Sequence, residues 1–237
     1  MKIIPAIDIL DGKCVRLSQG DYGKSKTYSE NPVDMAKSFE DAGLRYLHLV
    51  DLDGAKAKSI VNHKTLEAIA KSTTLEIDFG GGIKSRNDLE TAFSSGAKKI
   101  TIGSLAVTSP EIAIEWIREF GAHKIIVGAD CRDRKIAIQG WQQQSGTDII
   151  DFLQFFKTAG LTQTICTDIA KDGMLQGPAV ELYREILSQV DIELIASGGI
   201  SKLSDIEDVK NIGCAGVIVG KAIYENRISL KQLSDYA

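Results

Sequence analysis

Two aspartates and two glycine doublets offer the chemistry in this chain. Asp8 ends an apolar strand-type run at 3–7, and Asp130 ends another at 124–129. Two carboxylates facing one small molecule can act as base and acid, provided one of them stays protonated. Burial or mutual repulsion can arrange that. Gly80-Gly81-Gly82-Ile83 follows the run 75–78, and Ser197-Gly198-Gly199-Ile200 follows 192–196, each just ahead of a helical stretch. Glycines between strand and helix let backbone N–H groups approach an oxyanion, and the helix N-terminus adds partial positive charge. Singly, such a turn is equally a plain tight connection, and a lone strand-end Asp is more often a cap or an ion-pair partner.

The pairing changes that balance. Gly81 and Gly198 lie 117 positions apart, and so do Gly103 and Gly220, Gly96 and Gly213, Asp88 and Asp205, and Asp51 and Asp168. Ala42-Gly43-Leu44 recurs as Ala159-Gly160-Leu161 at the same offset. An internal repeat sets architecture, so the chain reads as two versions of one half, about 1–122 and 123–237.

The elements that must position these residues follow from periodicity. Short apolar runs at 3–7, 46–50, 75–78, 99–102, 124–129, 164–166, 192–196 and 216–219 read as strands covered on both sides. Helical stretches intervene: 32–42 capped by Asn31, a helix through 72 capped by Asn62, 85–95, 110–120 capped by Ser109, 147–159 capped by Thr147, 178–189 and 201–212, with two short helices at the end. Residues 19–29 and 52–61 read as loops, and 136–141 as hairpin-like. Eight β/α units in 237 residues predict a single (β/α)8 barrel of the TIM type. A doubly wound open sheet is the alternative, and it would not naturally give two equivalent halves.

In such a barrel the residues after each strand face one site. Asp8 and Asp130 follow the first and fifth strands, so they lie opposite each other. Gly81 and Gly103 follow strands three and four; Gly198 and Gly220 follow seven and eight, the usual phosphate position of the fold. This layout suits an elongated substrate with a phosphate at each end and proton transfer in the middle. Asp51 and Asp168 are expected to hold loops. Thr167 can offer a hydroxyl, and Lys84 and Lys221 stand beside the glycines. For Trp141, core packing is the default and stacking on a flat ring the alternative. His48 lies inside a strand, and three scattered histidines make no metal pattern.

Composition excludes other classes. A net charge of −4 gives no basic field for nucleic acid. An anionic ligand must be held by N–H groups and a few cations. Cys14, Cys131, Cys166 and Cys214 form no CxxC pair and read as buried, reduced thiols of a cytoplasmic protein. No apolar run is long enough for a membrane span, and the first residues are too short for a signal peptide.

Taken jointly, the motifs identify a resemblance. Pro5-Ala6-Ile7-Asp8, Cys14-Val15-Arg16-Leu17, Gln19-Gly20-Asp21, His48 to Ala55, Gly80 to Ile83, Gly140-Trp141, Thr167-Asp168-Ile169, Asp172-Gly173, Ser197 to Ile200 and Gly220-Lys221-Ala222 resemble the phosphoribosylformimino-5-aminoimidazole carboxamide ribotide isomerases of histidine biosynthesis. The resemblance covers essentially the whole chain. It implies a cofactor-free, metal-free Amadori rearrangement of an aminoaldose carrying two phosphates, by a monomer. Asp8 would be the base at C2′, Asp130 the acid that assists ring opening, and Thr167 an assistant. Gly81, Gly103, Ser104, Gly198, Gly199 and Gly220 would bind phosphate, and Arg16, Gly20, His48, Gly82, Lys84, Trp141, Asp168, Gly173, Gly177, Ser197 and Lys221 would complete the substrate contacts. Lys84 is a departure, because many members have Arg there, and Lys loses the bidentate fork. The sister cyclase, a dual enzyme that also isomerises phosphoribosylanthranilate, and a silent phosphate-binding scaffold are the competing readings. Retention of both Asp8 and Asp130 argues against the last.

Overall fold

Eight strands pair in parallel and close on themselves. The computed structural model describes residues 1–236, apart from the Ser18 side chain. The chain begins with β1 (Lys2–Leu10) and an antiparallel hairpin, β2 (Lys13–Ser18) and β3 (Asp21–Ser29). There follow α1 (Pro32–Asp41), β4 (Tyr46–Asp51), α2 (Leu52–Ala57), α3 (His63–Ser72), β5 (Glu76–Gly80), α4 (Arg86–Ser94), β6 (Lys99–Ile102), α5 (Ser104–Thr108) and α6 (Pro110–Phe120). Next come β7 (Ile125–Gly128), the short strands β8 (Cys131–Arg132), β9 (Lys135–Ile138) and β10 (Gln143–Asp148), and then α7 (Ile149–Thr158) and β11 (Gln163–Thr167). The last are α8 (Val180–Gln189), β12 (Glu193–Ser197), α9 (Leu203–Asn211), β13 (Gly216–Val219), α10 (Lys221–Tyr224) and α11 (Leu230–Ser234). The ring runs β1, β4, β5, β6, β7, β11, β12, β13, and β13 pairs back onto β1. This is the (β/α)8 barrel that the repeating pattern predicts. Among the described residues no helix is long and apolar enough to cross a membrane.

Strand alternation sorts the side chains into two cores. Ile3, Ile7, Leu47, Leu49, Ile77 and Phe79 face the helices in the main core. Ile4, Ala6, Ile126, Ile165, Ile195 and Ile218 face the barrel axis. Both faces are apolar, so the strands read as continuous hydrophobic runs. The next inward positions along these strands are Asp8, Gly128 and Asp130, Thr167, Ser197 and Gly220. The site is thus the layer above the inner apolar plug. At the opposite end, Lys99 Nζ donates to Gln163 Oε1 at 2.5 Å, and Gln163 Nε2 donates to Glu193 Oε2 at 2.7 Å, closing the barrel floor.

The repeat is visible in the backbone. Gly81 and Gly198 have φ of +97° and +90°, and Gly82 and Gly199 have +78° and +83°. Gly103 and Gly220 share φ/ψ near −101°/−95° and −112°/−96°, and each precedes a short helix. The Asp88 carboxylate accepts the N–H groups of Lys84 and Ser85; the Asp205 carboxylate accepts those of Ser201 and Lys202.

Several expectations need correction. Residues 21–29 form strand β3 rather than a loop, pairing Val15 with Thr27 and Arg16 with Lys26. It is a mostly exposed edge strand, so no apolar alternation marks it. Within 52–61 lies helix α2, one and a half turns capped by Asp51 and too short for periodicity to register. Helix α7 is capped by Asp148, which accepts from Ile150 N–H, and not by Thr147, which falls in strand β10. Asn62 does not cap α3 through its side chain, because that amide donates to Asp51 and Asp53.

Candidate active site

Asp8 sits on β1 and Asp130 just beyond β7, four places around the ring and so across the barrel mouth. Burial pushes both carboxyls above their ordinary range. Their partners differ in kind. Arg16 Nη1 donates to Asp8 Oδ1 at 2.8 Å, and both side chains are only 13% exposed. The positive charge of Arg16, and that of His48, opposes the effect of burial on Asp8. Asp130 instead accepts from the neutral indole, Trp141 Nε1 to Oδ2 at 2.8 Å. The Thr167 hydroxyl and N–H and the Trp141 bond favour its ionised form, but burial outweighs them. Trp141 is therefore not a core residue. It and its neighbours Gln139 and Gly140 all have positive φ, a strained run tied down by the Asp130 bond and by Gln139 N–H donating to Ser104 Oγ at 3.0 Å.

The C-terminal glycine site is a pocket lined by Arg16, Asp172, Gly173, Ser197, Gly198, Gly199, Gly220 and Lys221, among others. A Cβ on Gly220 would lie 2.5 Å from Arg16 Nη2, and one on Gly199 2.2 Å from Gly177 O. Only glycine lets the guanidinium and the 177 backbone pass so close. Gly177 N–H in turn donates to Gly199 O at 2.9 Å, which ties the loop after β11 to the glycine turn. Arg16 Nε is buried with no partner among the described residues, and a Cβ on Gly220 would lie 3.1 Å from it. Lys221 Nζ donates to Gly173 O at 2.7 Å, so its charge is held at the pocket wall.

The N-terminal glycine site lies opposite. A Cβ on Gly81 would lie 2.2 Å from Asp51 O and one on Gly82 2.4 Å from Ser59 O, whereas Gly103 faces open space. Lys84 stands beside these turns with its pKa lowered by burial and by the charge of Lys58. Neither lysine forms an ion pair among the described residues. A pair of uncompensated cations at a glycine turn is what a phosphate dianion needs.

Asp51 and Asp168 hold loops, as expected. Asp51 accepts from Gly54, Val61 and Asn62 N–H groups at 2.8 Å each and from the Asn62 amide. Asp168 accepts from Ala170 N–H at 3.0 Å. Gly20 belongs to the tip of the β2–β3 hairpin, where a Cβ would strike the Trp141 ring at 2.6 Å. Gln19 Nε2 reaches Ala170 O at 3.3 Å, so the hairpin crosses the mouth. His48 Nδ1 lies 2.6 Å from Asp78 Oδ2.

The sequence reading passed over Asp172. Its carboxyl is pushed up to about 6 by burial, with Arg16 opposing and Asp8 and Asp130 adding to the rise. It lines the C-terminal pocket and feels both aspartates. The Asp172-Gly173 motif was its only signal, because it lies in a loop and not at a strand end. Lys58 left no signal at all, since its approach to Lys84 depends on the left-handed turn, φ +60°, that ends α2. No cluster of side chains suited to a metal ion occurs among the described residues.

Comparison with known proteins agrees with this geometry. Residues 2–229 match the family described as Histidine biosynthesis protein. The chain is 58% identical over 237 residues to the 1-(5-phosphoribosyl)-5-((5-phosphoribosylamino)methylideneamino) imidazole-4-carboxamide isomerase of Flavobacterium psychrophilum, covering 100% of this chain and 98% of that one. It is 57% identical to the protein of the same name from Flavobacterium johnsoniae, over 100% and 99% of the two chains. The Cytophaga hutchinsonii protein of that name is 53% identical over the same shares.

Proposed function

The chain belongs to the histidine biosynthesis protein family and, within it, to the imidazole-4-carboxamide isomerases, and from that premise we propose how its residues perform the reaction. The protein is an isomerase that converts the aminoaldose ProFAR to the aminoketose PRFAR by an Amadori rearrangement. The observation that supports the assignment of roles is the unequal surroundings of two buried carboxyls. Asp8, paired with a cation, stays ionised and takes the proton from C2′. Asp130, held by neutral donors and raised by burial, keeps a proton for the ribose ring oxygen as the ring opens, and Thr167 assists it. The glycine turns at Gly81–Gly103 and Gly198–Gly220 hold the two phosphates, with Lys84 and Lys58 at one end and Arg16 and Lys221 at the other. Trp141 and His48 line the space between. All these groups come from one chain, so the reaction needs no second subunit, and the barrel acts as one domain of two halves.

A second reading of the acid is favoured by the place of Asp172 in the wall of the C-terminal pocket, together with Arg16. Asp172, at about 6, is poised nearer neutrality than an ordinary carboxyl, and it can deliver the proton instead of Asp130. Single-turnover conversion of the aminoaldose, with chelator present and no partner added, tests the function. Product formation is expected; a requirement for ammonia or a glutaminase would point to the cyclase. The alkaline limb of the rate profile assigns the acid, because it should move in Asp172→Asn if Asp172 is the donor and in Asp130→Asn if Asp130 is.

A further inference from the structure

Asp8 and Asp130 share one charged neighbour, His48, which favours the ionised form of each. The ring is held from the adjoining strand. Nδ1 lies 2.6 Å from Asp78 Oδ2, and the other Asp78 oxygen accepts the Thr101 hydroxyl. His48, Asp78 and Thr101 come from the consecutive strands β4, β5 and β6, where His48 pairs with Asp78 and Gly80 with Thr101. Nε2 has no protein partner among the described residues and is not among the buried polar atoms that lack one, so it keeps solvent access on the inward side of β4, opposite Leu47 and Leu49.

We propose that Asp78 is a positioning residue of this enzyme. Through Nδ1 it fixes the His48 ring, with Thr101 fixing Asp78, so that Nε2 is held as a hydrogen-bond donor to the substrate oxygen on the reacting carbon. The arrangement is that of a carboxylate orienting a histidine. Burial alone would push the ring toward its neutral form, but the charge and hydrogen bond of Asp78 and the charge of Asp8 outweigh it, and Arg16 opposes them. The charged groups that act on the ring are thus Asp78 on β5, Asp8 on β1, Arg16 on β2 and Asp130 beyond β7. With both nitrogens protonated, the ring draws electron density from the oxygen at C2′, and the adjacent C–H gives its proton to Asp8 more readily. The ring itself gains and loses nothing over the cycle.

The proposal rests on the isomerase reading with Asp8 as base, and its test has an arm that needs no turnover. The chain has three histidines, so 15N-histidine spectra with His63→Gln and His123→Gln assign the His48 ring. In the parent, Nδ1 should stay protonated and the ring should titrate above the ordinary 6.5. In Asp78→Asn the titration should fall, kcat should drop by about 10- to 100-fold, and KM should stay within about threefold, a shift of ~0.7 kcal/mol. Thr101→Val should move both in the same direction by less, and it serves if Asp78→Asn does not fold. A parent ring that titrates at or below 6.5, or an Asp78→Asn enzyme with unchanged kcat, overturns the proposal. A parent that behaves as expected in the spectra but leaves the aminoaldose unconverted overturns the isomerase reading instead.

Discussion

The two glycine sites have nearly the same backbone and quite different neighbours. Gly103 and Gly220 agree in φ/ψ to about ten degrees, yet Gly103 faces open space and Gly220 lies against the Arg16 guanidinium. The same contrast separates the carboxylates. Asp8 has a cation at 2.8 Å, and Asp130 has the neutral Trp141 indole at the same distance. A repeated frame supplies two similar glycine turns, and the side chains laid over it give the two carboxyls unequal surroundings, which is what the proposed division into base and acid requires.

The largest effect that would break this comparison comes from removing the proposed base. Asp8→Asn should lower single-turnover rates by at least ~10² while a parallel titration shows affinity within about tenfold, or 1.4 kcal/mol. Asp130→Asn should also slow turnover, and the double variant should lose far less than the product of the single losses. If Asp8→Asn turns over near the parent rate, Asp8 is a structural cap.

The glycines sharpen the contrast at the level of stability. Gly81→Ala puts a methyl 2.2 Å from Asp51 O at φ +97° and should cost about 1–3 kcal/mol or more by denaturant unfolding. Gly103→Ala, with nothing within 4 Å, should cost well under about 1 kcal/mol. Gly220→Ala should push Arg16 off Asp8 and reduce turnover about tenfold, an effect without counterpart in Gly103→Ala. Equal behaviour of the Gly103 and Gly220 variants would sink the claim that Arg16 makes the halves unequal.

The smallest effect is a difference of sign. The Asp130 carboxyl is raised above 3.8, so the folded state favours its protonated form. That contribution is full below 3.8 and is lost as pH rises through the raised value. At neutral pH the parent therefore bears the cost of a buried charge or of proton uptake, and Asp130→Asn does not. Its melting temperature should exceed that of the parent by a few degrees at pH 7, with the gain shrinking toward acid. Burial raises the Asp8 carboxyl as well, but Asp8→Asn should fall the other way, by on the order of 1–3 kcal/mol, because Arg16 loses its one ion-pair partner among the described residues and its Nε has none there. Melting curves of both variants from pH 4 to 8 would show it; a common sign would remove the distinction between the two carboxyls.

What the sequence made legible was whatever repeats or alternates. The strands, the strand-end carboxylates and the glycine turns left marks at fixed spacing, because a barrel places every site at one position in each unit. Strand β3 left none, since most of its residues are exposed and its few side-chain contacts, such as Tyr22 to Leu52 O and Lys26 to Glu225, follow no alternation. Trp141 bonds to a residue eleven positions earlier through a strained hairpin that no periodicity records. Asp172 lies in a loop whose path is fixed by Gly177 and Gly199 in contact, a long-range fit of backbone to backbone. His48 was visible as a histidine in a strand and, through the resemblance, as a substrate contact; its link to Asp78 requires the register of β4 on β5.

The pairing of β13 with β1 also governs when the enzyme comes into being. Residues Lys2 to Pro5 find their partners in Gly216 to Val219, nearly the whole chain away. On the ribosome β1 is made first and has one open edge until β13 emerges. Contacts of such sequence separation form late and fold slowly. The strand that bears Asp8 is thus the first barrel strand to be synthesised and among the last to be locked in place. No partial product of synthesis has a closed mouth, and activity arrives only with the final strand.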